Sequence, residues 1–274
     1  MPIKLVAIDL DDTLLDAGLN ISGPCIRNIQ AARQQGVIVT LATGRMYSSA
    51  LNYALELNED VPLITYQGAL VKNSRTPKVM YYQPLAKDMA VETMEYFRKA
   101  GVHYHTYFDD RLCLESLNEE GAAYASLAGV KPVLLDSLTE ACQSGQDALK
   151  VLAVIRDPDL LQDLECGLKR RYGDSLNITR SKPYYLEVMD PLANKAEALK
   201  LVAEYYGIQQ EDVMAVGDSY NDLAMIKWAG IGVAMGNARE EVKAAADHVT
   251  SSNEEHGVAE ALQRWVLEKG QRIT

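Results

Sequence analysis

The sequence predicts an α/β fold: a doubly wound, mostly parallel sheet with an α+β unit inserted into it. Three observations predict this. Short apolar runs alternate with amphipathic stretches at both ends of the 274-residue chain. Those runs lack polar/apolar alternation, as expected of parallel strands covered on both faces. The middle of the chain does alternate, over Val102-His103-Tyr104-His105-Thr106-Tyr107-Phe108, as a half-buried antiparallel strand would.

Residues 3–9 read as the first strand. Residues 24–35 suit a helix, with Pro24 early and Gly36 just past its end. Val37-Ile38-Val39-Thr40-Leu41 is a second strand, 46–57 a helix, and Pro62-Leu63-Ile64-Thr65-Tyr66 a third strand. Near the other end, Ala196, Leu199, Val202, Ala203 and Tyr206 recur at helical spacing over 195–206, and Gly207 closes the helix. Val213-Met214-Ala215-Val216 is a strand, 220–228 a helix, and Ile231-Gly232-Val233-Ala234 a short strand. Helices follow at 238–246, with Asn237 as its expected cap, and at 257–268. This strand–helix repetition implies a Rossmann-like sheet.

Between the two parts, 86–100 reads as a helix. Asp109-Asp110 then turns residues 102–108 into Leu112-Cys113-Leu114-Glu115, a hairpin signal. Leu149–Ile155, Leu176–Thr179 and Tyr184–Val188 add strand. The expected division is a core of 1–84 plus 188–274 and an insert of 85–187, with Pro84 and Asp190-Pro191 as candidate hinges.

The formal net charge is −11, which argues against nucleic acid and anionic membranes as partners. Cys25, Cys113, Cys142 and Cys166 form no C-x-x-C pair and suggest neither a zinc site nor a disulfide framework. No signal peptide and no run of membrane-spanning length is evident. The expectation is a cytoplasmic protein, monomeric or a small homo-oligomer.

Three polar segments follow apolar runs: Asp9-Leu10-Asp11-Asp12-Thr13, Thr43-Gly44-Arg45, and Gly217-Asp218-Ser219-Tyr220-Asn221-Asp222. In an open parallel sheet, function gathers at the carboxyl ends of strands, where all three fall. Any one of them could be a plain turn or helix cap; together with Lys195 they suit a phosphoryl group held by a divalent metal. Asp9 is best placed as a nucleophile that takes up phosphorus. Asp11, two residues on, shares its face if the strand persists, and suits acid/base work with a pKa raised by crowded carboxylates. Asp9, the Asp11 carbonyl and Asp218 are natural ligands for Mg²⁺, with Asp222 bound directly or through water. Thr43 offers a hydroxyl and Gly44 a backbone N–H at a helix start. Lys195 opens a helix, where the dipole disfavours it, which hints at service to a ligand. His103 and His105 share one strand face without a third metal ligand nearby. Tyr184-Tyr185 and Tyr104-Tyr107 could line a polar pocket.

These motifs resemble the haloacid dehalogenase superfamily, and most of all its Cof-type phosphatases, which carry a large α/β cap of the C2 type between the second and third motifs. Asp9-Leu10-Asp11-Asp12-Thr13 matches the first motif, Thr43-Gly44-Arg45 the second, Asn194-Lys195 the third, and Gly217-Asp218 through Asn221-Asp222 the fourth, which holds Mg²⁺ in the family. The resemblance runs the length of the chain, through Tyr66-Gln67-Gly68-Ala69, Met235-Gly236-Asn237-Ala238 and Glu255-His256-Gly257-Val258-Ala259. It departs at Asp12, where Gly is common, at Gln67, where Asn is usual, and at Ala196, where Gly often follows the lysine.

The resemblance implies a Mg²⁺-dependent phosphatase of a small phosphorylated metabolite, with sugar phosphates the leading class, acting through an aspartyl phosphate. His103, His105, Lys182 and Tyr184 would be the insert's candidates for substrate contact. A phosphomutase or phosphotransferase would use the same intermediate, and a receiver-like signalling protein also surrounds a phosphorylated carboxylate with Asp, Thr and Lys.

Overall fold

The computed structural model describes residues 2–57, 60–76 and 78–268. In chain order the elements are β1 Leu5–Ile8, α1 Gly23–Gln34, β2 Ile38–Leu41, α2 Tyr47–Glu56, β3 Pro62–Thr65, β4 Leu70–Asn73 and β5 Val79–Tyr82. The middle contributes α3 Lys87–Lys99, β6 His103–Phe108, β7 Arg111–Leu114, α4 Glu119–Ala128, β8 Val133–Leu134, α5 Leu138–Gln143, β9 Ala148–Val154, α6 Pro158–Tyr172, β10 Asn177–Thr179 and β11 Tyr185–Met189. The last part holds α7 Lys195–Tyr205, β12 Val213–Gly217, α8 Leu223–Trp228, β13 Ile231–Ala234, α9 Glu240–Ala245, β14 His248–Val249 and α10 Gly257–Leu262.

The core sheet is parallel, in the order β14-β13-β12-β1-β2. Leu5 pairs with Val213 on one side and Ile38 on the other, so β1 is an interior strand. Its four residues are fully buried because they face two helical layers in turn. Val6 and Ile8 join the cluster of Ile29 and Leu262, from α1 and α10. Leu5 and Ala7 join Leu199 and Val202, from α7. That double cover is why β1 reads as a continuous apolar run. Strand order reverses at the β1/β12 boundary, the place where such sheets open a crevice.

The expected third strand differs. Beyond one bridge, Ala42 to Ile64, β3 leaves the parallel sheet and starts an antiparallel sheet with β4 and β5. Residues 70–73 and 79–82 form strands beyond those the sequence pattern predicts. Gly68 and Asn73-Ser74 punctuate them, and each is only four residues long.

The second large sheet has the order β10-β11-β9-β6-β7-β8, antiparallel except for β7 with β8. Its hairpin turns at Asp109 and Asp110, both at positive φ. The alternation over 102–108 comes from polar side chains, not from exposure: five of the six residues of β6 are buried. Strand β11 runs on to Met189, so the division expected after 187 falls inside it. Helices α4, α5 and α6 add to the sequence expectation; α6 carries a strong start signal in Asp157 followed by Pro158, with the Asp157 carboxylate accepting from the Asp159 and Leu160 N–H groups. The helix expected over 257–268 becomes α10 followed by a wider turn over Gln263–Leu267.

Candidate active site

The chain does not stay extended to Asp11. After Ile8 it enters one wide turn, with the Leu15 N–H donating to the Leu10 carbonyl at 3.0 Å. Asp11 therefore reaches the cleft through this turn and not through the pleat of β1, which corrects the shared-face argument. Asp12 stands at φ 59°, ψ 11°, the left-handed region that glycine enters freely and Asp tolerates better than most residues. This gives a physical reason for the small residue common there in the resembling family.

Asp9 lies at the end of β1 with Thr43 and Gly44 just past β2 and Asp218 just past β12. The parallel register brings these ends together. Lys195, the first residue of α7, is fully buried. Its ammonium donates to Asp9 Oδ1 and to Asp222 Oδ1, each at 2.6 Å. Asp222 Oδ2 accepts from the N–H groups of Asp218 (3.1 Å) and Ser219 (3.0 Å). Gly217 makes this possible, since a Cβ there would sit 2.5 Å from the Asp222 carboxyl carbon. Asp218 Oδ1 accepts from the Thr13 hydroxyl at 3.0 Å.

Carboxylate oxygens of Asp9, Asp218 and Asp222 all lie within 4.8 Å of one another. Burial, then the neighbouring Asp222, Asp218 and Asp11 charges, push Asp9 well above the ordinary carboxylate range, against the pull of Lys195. Burial and Asp222 push Asp218 up to about 7. Burial alone would lower Lys195, but Asp222 and Asp9 raise it. One fixed cation thus faces three crowded acids.

Asp11 behaves otherwise. Burial would raise it, but two hydrogen bonds and the charge of Arg45 hold it below the usual range. The guanidinium grips it through Nε to Oδ2 at 2.9 Å and through a second nitrogen to Oδ1 at 2.7 Å. The expected rise in the pKa of Asp11 is not observed; the crowding falls on Asp9 and Asp218.

The cleft holds about 640 Å³, open solvent included, within the range of small-ligand pockets. Asp9, Asp11, Asp12, Gly44, Arg45 and Asp218 line it from the parallel sheet's side; Tyr124, Ser181, Lys182, Tyr185 and Glu187 line it from the second sheet. Thr43, Lys195 and Asp222 are buried behind that wall. The Thr43 hydroxyl accepts from the Arg45 N–H at 3.1 Å and so shapes the Gly44 turn.

Of the four residues expected from the insert, Lys182 reaches the cleft and pairs with Asp12 at 3.1 Å. Tyr184 instead packs beside Tyr185 and Arg156, and Tyr185 takes the lining position. His103 is half-buried and His105 fully buried, and neither lines the cleft. Tyr107 lies under the wall and Tyr104 bonds to Arg98 and Glu115, away from it. Asn237 does not cap a helix: its amide donates to the Asp12 carbonyl at 2.7 Å and steadies the Asp12 turn, while α9 starts at Glu240.

Sequence reasoning missed Tyr124, Glu187 and Lys150. The Lys150 ammonium, on β9, donates to the Gly44 carbonyl at 2.8 Å and to Glu187 Oε1 at 2.9 Å. Glu187 Oε2 accepts from the Gln67 amide at 2.7 Å. Gln67 Oε1 accepts from Asn221 at 3.0 Å, so the longer amide at position 67 bridges both sides of the cleft. A charged residue inside an apolar strand, as in Leu149-Lys150-Val151, was the available signal.

The four cysteines are free, with Cys166 exposed. Among the described residues, no helix is long and apolar enough to cross a membrane.

A sequence profile of haloacid dehalogenase-like hydrolases matches residues 6–262. The chain is 36% identical over 265 residues to the 5-amino-6-(5-phospho-D-ribitylamino)uracil phosphatase YcsE of Bacillus subtilis, covering 97% of this chain and 96% of that one. A crystal structure of a haloacid dehalogenase-like hydrolase from Bacteroides thetaiotaomicron superposes with a TM-score of 0.84 at 33% identity, covering 96% of this chain and 99% of that chain. A sugar phosphatase of subclass IIB superposes at 0.82 with 25% identity, covering 95% and 98%. With the motifs and the fold in agreement along the whole match, the chain belongs to the haloacid dehalogenase-like hydrolases, in their Cof-type branch, and is a phosphoric monoester hydrolase.

Proposed function

We propose that the protein is a Mg²⁺-dependent phosphatase of a small, polyhydroxylated phosphate ester, of the sugar-phosphate class, working through an aspartyl phosphate on Asp9. The observation that carries this reading is the charge balance of the cleft. Five acids line it (Asp9, Asp11, Asp12, Asp218 and Glu187), and the cations beside them among the described residues are already taken: Arg45 by Asp11, Lys182 by Asp12, Lys195 by Asp9 and Lys150 by Glu187. A phosphate dianion cannot enter such a site without added positive charge. The donors are all oxygens, which suits a hard divalent ion.

The carboxylates of Asp9 and Asp218 and the Asp11 carbonyl would hold Mg²⁺. Both Asp222 oxygens already accept hydrogen bonds, so its role is to place Lys195 and the Asp218 turn. When bound, the ion offsets charge on the phosphoryl oxygens and restores the ionised state of the acids around it.

Lys195 fixes Asp9 Oδ1, which leaves Oδ2 to attack phosphorus. Asp11 is ionised while it is paired with Arg45, so it first leaves Arg45 and takes up a proton from solvent. The Asp9–phosphorus bond then forms as the ester bond breaks, and Asp11 gives that proton to the departing oxygen. Asp11 then takes a proton from water, whose oxygen attacks phosphorus and frees Asp9 and inorganic phosphate. Arg45 must release Asp11 for this, and a substrate anion is a competing partner for the guanidinium. Gly44, on the wall, presents its N–H to the phosphoryl oxygens, and Thr43 behind it holds that turn through its hydroxyl. The insert, from α3 through the end of β11, acts as a cap over the core and excludes water.

The substrate class draws support from two similar proteins, one named for a phosphoribitylamino-uracil ester and one for sugar phosphates. The test is phosphate release from a panel of sugar and polyol phosphates, with Mg²⁺ and with a chelator. Release that stops on chelation is expected. Release that continues unchanged under chelation would overturn the metal-dependent reading.

A further inference from the structure

The hydrogen bonds behind Tyr124 have one consistent direction. Tyr124, in α4, lines the cleft, and its hydroxyl oxygen accepts from the Tyr107 O–H. A phenol carries one proton. Having given it to Tyr124, Tyr107 can only accept from His105 Nε2, 3.2 Å away. His105 is fully buried, and burial, then His103 and Lys150, drive it well below the ordinary histidine range, so its ring is neutral. A neutral ring protonated at Nε2 has a bare Nδ1, which accepts from His103 Nε2 at 3.2 Å. Each member hands its proton toward the cleft. Tyr124 is the last, and among the described residues its own O–H has no protein acceptor.

We propose that Tyr124 is a specificity-determining residue that donates a hydrogen bond to a hydroxyl of the substrate's leaving group, its proton aimed by His103, His105 and Tyr107. The inference rests on the phosphatase reading above and deepens it. A hydroxyl fits because it can accept from Tyr124 and pass its own proton to a carboxylate of the same cleft, such as Glu187. An aryl leaving group has neither capacity. Tyr107 is fully buried and cannot touch substrate. It is a positioning residue: without its proton the Tyr124 oxygen has no donor, and the Tyr124 O–H is free to turn away.

The experiment compares KM and kcat for ribitol 5-phosphate, sorbitol 6-phosphate and phenyl phosphate, all with Mg²⁺. Tyr124→Phe should raise KM for the polyol esters up to about tenfold, the worth of one neutral hydrogen bond, and leave phenyl phosphate within about twofold. Tyr107→Phe should give a smaller rise of the same selectivity, and should add nothing once Tyr124 is Phe. Equal effects on all three esters, or additive effects of the two substitutions, would overturn the proposal. So would wild-type enzyme whose kcat/KM is no better for the polyol esters than for phenyl phosphate. Wild-type enzyme idle toward all three would overturn the sugar-phosphate reading proposed above and this inference with it. If Tyr107→Phe melts far below wild type, Tyr124→Phe alone decides.

Discussion

Arg45 holds Asp11 by two parallel hydrogen bonds, at 2.9 and 2.7 Å, so the expected acid/base group is kept ionised by its neighbour. Arg45→Gln removes that charge, and the Asp11 pKa must then rise. If Asp11 delivers the proton to the leaving oxygen, the basic limb of the kcat/KM profile moves to higher pH in the variant. An unmoved limb would mean that another group supplies the proton. Asp11→Asn should cost about 10²–10⁴-fold in kcat, the usual worth of a placed acid/base.

Lys195 is a fully buried cation between Asp9 and Asp222. Lys195→Met leaves two buried carboxylates without their partner, which costs about 3–5 kcal/mol. A lower unfolding midpoint in urea, with activity reduced further than the fraction unfolded explains, is the expected result. Wild-type stability in this variant would show that the triad carries no structural weight.

Helix α2 begins without a side-chain cap of its own. Its cap comes from the second sheet: the Asp110 carboxylate accepts from the N–H groups of Tyr47 and Ser48, both at 3.0 Å, and from the Tyr66 hydroxyl at 2.6 Å. Asp110→Ala should destabilise by about 1–2 kcal/mol and speed amide exchange at Tyr47 and Ser48. Unchanged exchange at those two amides would remove Asp110 from the link between the sheets.

The parallel sheet and its polar rim were readable in the sequence because each depends on local pattern. Leu5–Ile8 is apolar throughout because both faces are covered, and Asp9, Thr43 and Asp218 follow strands that end together. The groups facing them from the insert were not readable. Tyr124 and Glu187 reach the cleft only through the order of the second sheet, and nothing local records that β11 lies between β10 and β9. Asp11 shows a second limit. Its acidity was judged from nearby carboxylates, while the partner that decides it, Arg45, comes from the loop after β2. Tyr184 lies in the turn before β11 and Tyr185 opens the strand, whose alternation puts Tyr185 and Glu187 together on the wall.

Metal binding should set the pH dependence of stability. Asp218 stands at about 7, above its ordinary value of about 3.9. Between those limits the folded protein holds a proton that the unfolded chain has lost, so this group's stabilisation of the metal-free protein is lost as pH rises through about 7. Mg²⁺ needs the ionised form. Its effect on the melting temperature should therefore grow from about pH 5.5 to 8, measured against a chelator. A shift independent of pH would contradict this account of Asp218.

The central claim is that Asp9 takes up phosphorus, and the most direct measurement is the mass of the Asp9 peptide after turnover is quenched in acid. The account predicts a phosphoryl adduct on that peptide in wild type. Asp9→Asn should show none, with kcat lower by about 10³-fold or more. Turnover retained in Asp9→Asn, or an adduct on a different residue, would contradict it.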